Sequence, residues 1–246
     1  QRQVRFPHHL GTCPAHELYV LLQQSRQCPR CHPSIGTAPC REQPVTFGVP
    51  FSQGELADGI PLQVSTSTGT PVPADQWTLA TWPDGSVKWK AVATVVPPAS
   101  QGLQLSKGKD KTKYNIQNTI RLCISANGLL ADSIMISGTK VIGNLWLELN
   151  GKRQPVTNAV HEQQGSVRDC WRFDGTDFCV RMYLYRSSNE IKLVHTSFID
   201  SLTNADGLRS LCLKAEIPVH GKLHQRKALF LTSAGDSAAL LSMDVK

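Results

Sequence analysis

Trp82-Pro83-Asp84-Gly85-Ser86-Val87-Lys88-Trp89-Lys90-Ala91-Val92-Ala93-Thr94-Val95-Val96 is the stretch on which the fold class turns. It opens on a turn and runs into a strand. Asp-Gly between two extended segments is a hairpin signal, because type I′ geometry needs positive φ at both central residues. After the turn, Val87, Trp89, Ala91, Ala93 and Val95 fall at alternate positions and set one apolar face, with Ser86, Lys88 and Lys90 on the other. A period of two is that of a half-buried strand; a helix would need apolar residues three and four apart. Trp82 and Trp89 are read as large core fillers on either side of the turn, and Pro83 as the residue that fixes the approach to it.

Working outward, Val45–Val49, Leu62–Thr68 and Trp77–Thr81 alternate in the same way, and Pro97-Pro98 ends the series. Residues 101–117 are polar and Lys-rich, as a linker between domains would be. A second β series follows: Thr119–Ser125, Ser133–Ser137, Asn144–Asn150, Val167–Phe173, Phe178–Arg186, Glu190–Ile199 and Arg209–Ile217. Turns are predicted at Asn127-Gly128, Asn150-Gly151, Asp174-Gly175 and Ser187-Ser188-Asn189. The expected class is therefore all-β, with a small barrel over 44–100, a linker over 101–117 and a sandwich over 118–246. The apolar run Ala238–Met243 near the last residue suggests that this second domain is truncated. Residues 1–43 show no period of two and are rich in Gln, Arg, Pro, His and Cys. They are expected to form a poorly ordered arm, in which only His16–Gln24 could make a short helix.

The chain of 246 residues is 40% apolar and 18% charged, enough for a real core. Its 26 basic and 19 acidic residues leave +7, which suits an acidic partner: nucleic acid, an anionic membrane or an anionic polysaccharide. The basic residues are dispersed. Their densest group, Lys107, Lys109, Lys111 and Lys113, reads as a solvated loop before it reads as a polyanion contact. That dispersal leaves no nucleic-acid partner expected, and because no apolar run of about 18 residues occurs, no membrane span is expected either.

Cys28-Pro29-Arg30-Cys31 is a knuckle that, with Cys13, Cys40 and His8, His9, His16 and His32, could hold zinc. A second knuckle is missing, so an incidental cluster is preferred, and no metal or cofactor is expected. Cys123, Cys170, Cys179 and Cys212 lie in alternating segments, as buried thiols or as two disulfides. His195 shares a strand face with Ile191 and Leu193, and reads as a packed histidine before it reads as a base in a cleft. Asp58, Asp75, Asp84, Asp174 and Asp177 fall in or near turns, where Asp serves local hydrogen bonds. No catalytic residue is assigned: hydrolase, metalloprotease, P-loop and dinucleotide motifs are absent, and no carboxylate pair stands out for acid–base work.

Arg181, Tyr183 and Tyr185 share one strand face, opposite Val180, Met182 and Leu184. As a binding platform, the rings would stack on sugar C–H faces and the guanidinium would grip a uronate carboxylate. The competing reading is a second sheet interface.

Thr46-Phe47-Gly48-Val49-Pro50-Phe51, continued by Gln53-Gly54-Glu55-Leu56 and paired with Trp82-Pro83-Asp84-Gly85-Ser86-Val87-Lys88-Trp89, resembles the N-terminal RIFT barrel of the exo-rhamnogalacturonan lyase-like family (PcRGLX/YetA-like). Phe178–Tyr185 and Ile191–Phe198 resemble the central β-sandwich of the same family. The resemblance covers all but roughly the first forty residues. It implies a protein that cleaves rhamnogalacturonan I, a pectin, by β-elimination through a C-terminal α/α toroid outside this chain. It also implies an acidic plant cell-wall polysaccharide as partner and an extracellular setting. On that reading the chain is a non-catalytic front portion; the alternative is a stand-alone carbohydrate-binding or structural β module.

Overall fold

The computed structural model describes residues 2–5, 16–21, 42–98, 102–108, 114, 116, 119–186, 188, 190–198, 210–218, 227–231 and 237–241. Among these residues the chain is all strand and turn, without a helix.

The barrel is built from β3 (Gln43–Pro50), β4 (Leu62–Thr66), β5 (Ala74–Thr81), β6 (Val87–Val96) and β7 (Leu103–Lys107). They form a sheet β3-β6-β5 and a pair β4-β7, antiparallel throughout. Strand β7 lies inside the stretch expected to be a linker. It pairs with β4 from Thr66↔Leu103 to Leu62↔Lys107, so the barrel runs on to Lys107. The Lys-rich composition hid the short alternation Leu103, Leu105. Lys107 is held there, its ammonium 2.7 Å from the Glu55 carbonyl.

The turn before β6 is not type I′. The Gly85 amide returns to the Trp82 carbonyl at 2.9 Å, and only Gly85 has positive φ, at 81°. Pro83 and Asp84 are thus the central pair, because the ring holds Pro83 at the φ a type I turn wants. Asp84 closes the loop locally, accepting the Ser86 amide at 2.9 Å and the Ser86 hydroxyl at 2.6 Å.

The expected face of β6 also slips. Val87 and Val92, of opposite parity, are both buried in the barrel core with Leu56, Leu62, Val64 and Val72. Pairing with β5 runs Thr78↔Lys90, Ala80↔Trp89, Thr81↔Val87, which leaves Leu79 and Lys88 as extra residues. Each irregularity moves a side chain to the other face. Lys90 is consequently buried, its ammonium on the Ile60 carbonyl at 2.7 Å. Trp89 is 41% exposed and is no core filler. Trp82 does pack partly inside, its indole N–H donating to the Phe51 carbonyl at 3.0 Å.

The sandwich follows: β8 (Ile120–Cys123), β9 (Ser133–Ile136), β10 (Thr139–Ile142), β11 (Leu145–Leu149), β12 (Lys152–Gln154), β13 (Asn158–Gln164), β14 (Arg168–Asp174), β15 (Phe178–Tyr185), β16 (Glu190–Ser197) and β17 (Leu211–Ile217). Asn150 and Gly151 both take positive φ, so the β11–β12 hairpin has the two left-handed residues that Asn-Gly promises. The core holds Leu130, Ile134, Leu145, Phe173, Phe178, Met182 and Ile191. Each such buried side chain stabilises by roughly 1.5–3 kcal/mol.

Two strands come from the first 43 residues. β1 (Arg2–Arg5) pairs with β17, giving a sheet β1-β17-β11-β12, and β2 (His16–Leu21) pairs with β16, giving β13-β14-β15-β16-β2. The helix predicted at His16–Gln24 is thus a strand as far as Leu21, because the open edge of β16 offers backbone partners that an isolated short helix lacks. A last pair, β18 (Lys227–Leu231) and β19 (Ser237–Leu241), forms a hairpin of its own. Cys13, Cys28, Cys31 and Cys40 lie outside the described residues.

Candidate functional site

Antiparallel register decides which sandwich side chains face the barrel. On β14 and β15, Arg168 lies opposite Tyr185, Cys170 opposite Tyr183 and Arg172 opposite Arg181. These six share one face. The opposite face of the same strands carries Phe173, Val180, Met182 and Leu184 into the sandwich core. On β13 the pairing steps from His161↔Trp171 to Gln163↔Cys170, which leaves Glu162 as the extra residue of a bulge. The bulge brings Glu162 onto the barrel-facing side. From the barrel come Thr46 and Gly48 of β3, Trp77 and Leu79 of β5, and Ala91 of β6. Between the two surfaces lies a cleft of ≈ 380 Å³.

Asp75 of β5 fastens its base. One carboxylate oxygen accepts the Ser166 amide and hydroxyl, each at 2.8 Å, and the other accepts the Val167 and Arg168 amides, each at 2.8 Å. The carboxylate therefore caps the β13–β14 turn of the other domain. A Cβ at Gly165 would run into that carboxylate and into the Arg168 carbonyl, so glycine is needed for the approach. Asp75 was read as a turn residue with local bonds; it sits in a strand opposite Ala93, and its partners are some ninety positions away.

Arg168 makes the second fastening. Its side chain returns over the barrel, with the guanidinium carbon 4.6 Å from the Trp77 ring centroid and 4.8 Å from that of Tyr183. One terminal nitrogen donates to the Thr46 hydroxyl at 3.0 Å and the other to the Gln163 side-chain oxygen. Next to it, Glu162 accepts two bonds from Arg181, at 2.8 and 3.0 Å, and one from Arg172 at 2.9 Å. Those Arg181 hydrogen bonds hold the Glu162 carboxyl below the ordinary carboxylate range, against the opposing effect of partial burial. Burial, and then the Glu162 charge, push the Cys170 thiol up to about 12. Burial likewise raises Tyr183 and Cys179. Cys123, Cys170, Cys179 and Cys212 are unpaired thiols, which settles the choice between thiols and disulfides.

The residues read as a sugar platform are brought together here, in unequal positions. Tyr185 is only 4% exposed and shares a 2.9 Å hydrogen bond with the Thr46 hydroxyl, so neither of its ring faces is open to a ligand. Tyr183 is half-buried with Arg168 against its ring, and lines the cleft. Arg181 lines it too, bound to Glu162. His195 lies apart, at the edge of the sandwich core, its ring 6.2 Å from that of Phe178. Trp77, Glu162 and Arg168 were not singled out as site residues by sequence reasoning, and Asp75 was read only as a turn residue. Only the Arg168–Cys170–Arg172 parity, once registered against β15, carries a trace of this face.

Residues 35–108 match the family model of the PcRGLX-like N-terminal RIFT barrel domain, and residues 130–240 that of the PcRGLX-like protein central beta sandwich domain. The chain is also similar to the uncharacterized protein YetA of Bacillus subtilis (strain 168), with 23% identity over 237 residues. That alignment takes in 78% of this chain and 27% of the bacterial protein, so the chain spans about a quarter of that relative's length.

Proposed function

Since this chain belongs to the PcRGLX-like family and carries its RIFT barrel and central sandwich, we propose that it is the non-catalytic front of a rhamnogalacturonan lyase-type protein. The whole protein would cleave rhamnogalacturonan I by β-elimination, with the chemistry on a further domain of α/α toroid type. The setting would be extracellular, where plant cell-wall pectin is met. The observation that carries the non-catalytic role is the state of the junction. Its carboxylates are engaged in holding the two domains and their hairpins: Asp75 on three amides and a hydroxyl, Glu162 on Arg172 and Arg181, and Asp174 on Arg172. A base for C5 deprotonation needs an available carboxylate, imidazole, amine or phenolate within reach of the proton, and no lysine among the described residues lines the cleft. Glu162 is held charged but enclosed by guanidinium groups, and Tyr183 is pushed toward its protonated form.

The test is to incubate rhamnogalacturonan I with this chain and with the same protein extended by its downstream sequence. Release of unsaturated uronate product is followed by its ultraviolet absorbance. The extended protein is expected to release product and this chain none. Product from this chain alone would end the non-catalytic reading, and none from either would end the lyase reading.

A further inference from the structure

We propose that Arg168 is the anion-recognising residue of the junction cleft, and that the cleft takes a uronate unit of an acidic oligosaccharide with its carboxylate edge-on to this guanidinium. The choice of a sugar acid, rather than another carboxylate, rests on the rhamnogalacturonan reading above; the anion site itself does not.

Three arginines lie on this sheet face. Arg172 and Arg181 both hold Glu162, and Arg172 holds Asp174 as well. Arg168 differs. Among the described residues its guanidinium meets neutral acceptors only, the Thr46 hydroxyl and the Gln163 side chain. Yet it is 5% exposed, the most buried of the three. A buried cation without a counter-charge is costly, and an incoming carboxylate would offset that cost. Guanidinium offers five N–H hydrogens, of which these two bonds use two.

The surroundings fix how an anion arrives. The guanidinium carbon lies 4.6 Å from the Trp77 ring centroid and 4.8 Å from that of Tyr183, and the contact proposed for the anion is the N–H edge, where a carboxylate binds arginine through two parallel bonds. Arg168 is among the residues that line the cleft, together with Trp77 and Tyr183. Glu162 stands in that cleft too, its charge met by Arg172 and Arg181. Beside the cation, Trp77 and the 57% exposed Leu79 supply apolar surface for the C–H face of a pyranose.

The test is calorimetric titration of this chain with an oligogalacturonide of defined length and with a neutral galacto-oligosaccharide of the same length. The acidic ligand is expected to bind, and the neutral one at least about tenfold more weakly. Arg168→Gln should abolish that preference. Because Arg168 also ties the domains together, a second variant is needed, and Leu79→Asp sets a negative charge at an exposed cleft position. It should weaken the acidic ligand about tenfold and leave the unfolding midpoint in place. Equal affinity for the two sugars, no binding of the oligogalacturonide, or acidic binding unchanged in both variants would overturn the proposal. None of these touches the product-release assay, on which the lyase reading stands or falls separately.

Discussion

The carboxylate of Asp75 in the barrel receives the backbone amide of Arg168 in the sandwich at 2.8 Å. That bond begins a loop of contacts that closes on itself. Asp75 holds the chain of Arg168, and the side chain of Arg168 returns over Trp77, two residues along the same barrel strand. Two domains joined this way at both backbone and side chain should unfold together.

Asp75→Ala leaves three amides and a hydroxyl without their acceptor. A loss of about 1–3 kcal/mol is expected. In urea, followed by tryptophan fluorescence, the single transition of the parent should move to lower denaturant and broaden or divide. An unchanged, single transition would show that the domains do not depend on this contact.

Gly165→Ala should destabilise by the same route, because its Cβ would displace the Asp75 carboxylate. The double variant with Asp75→Ala is the sharper measurement. The two losses should fall short of additive by at least about 0.5 kcal/mol, since either change alone already opens the contact.

Tyr185→Phe removes only the hydroxyl bonded to Thr46 and should cost about 1 kcal/mol. Tyr185→Ala empties a buried position and should cost about 3–5 kcal/mol. Any weakening of sugar binding in Tyr185→Phe should be small. A large loss of binding in a Tyr185→Phe protein of near-parent stability would return Tyr185 to the ligand platform.

The Cys170 thiol is raised to about 12 in the fold, so the folded state keeps a proton that the unfolded state releases from about pH 9 upward. Its contribution is present below pH 9 and is lost as pH rises from 9 toward 12. Melting midpoints should fall over that interval, and Cys170→Ala should flatten the fall whatever its cost at neutral pH. At pH 8 the native thiol should resist alkylation that proceeds readily in urea.

Glu162 has the opposite sign. Its carboxyl is lowered in the fold, mainly by Arg181, so its contribution is present above the ordinary carboxylate range and fades as pH falls through the lowered value. Glu162→Gln should lower stability at neutral pH and reduce the loss seen on acidification. An equal acid slope in parent and variant would separate Glu162 from acid unfolding.

The β class was legible because alternation is local. Val45–Val49, Trp77–Thr81, Phe178–Tyr185 and Glu190–Ser197 each carry their period in a few residues, and strands lie at each of them. What failed were phases and ends. Leu79, Lys88 and Glu162 are extra residues in their ladders, and an extra residue shows only against a partner strand. That is why Trp89 was misplaced in the core and Lys90 on the surface. β7 was missed because its fold-making partner, β4, lies far back in the chain.

The site was the least legible part, and the reason is again pairing at a distance. Arg181, Tyr183 and Tyr185 announced a polar face through their spacing on one strand. Whether that face met a sugar or a second domain depended on what lay across from it. By itself the sequence determined the all-β class, the two-domain order, most strand positions and the family resemblance, since each of these is carried by short-range periodicity or by contiguous motifs. Only the tertiary structure decided that Tyr185 is buried against Thr46, that Glu162 is bulged between two arginines, and that Asp75 and Arg168 join the domains. Those contacts link residues as much as 139 positions apart, and no local pattern of side chains records a partner at that separation.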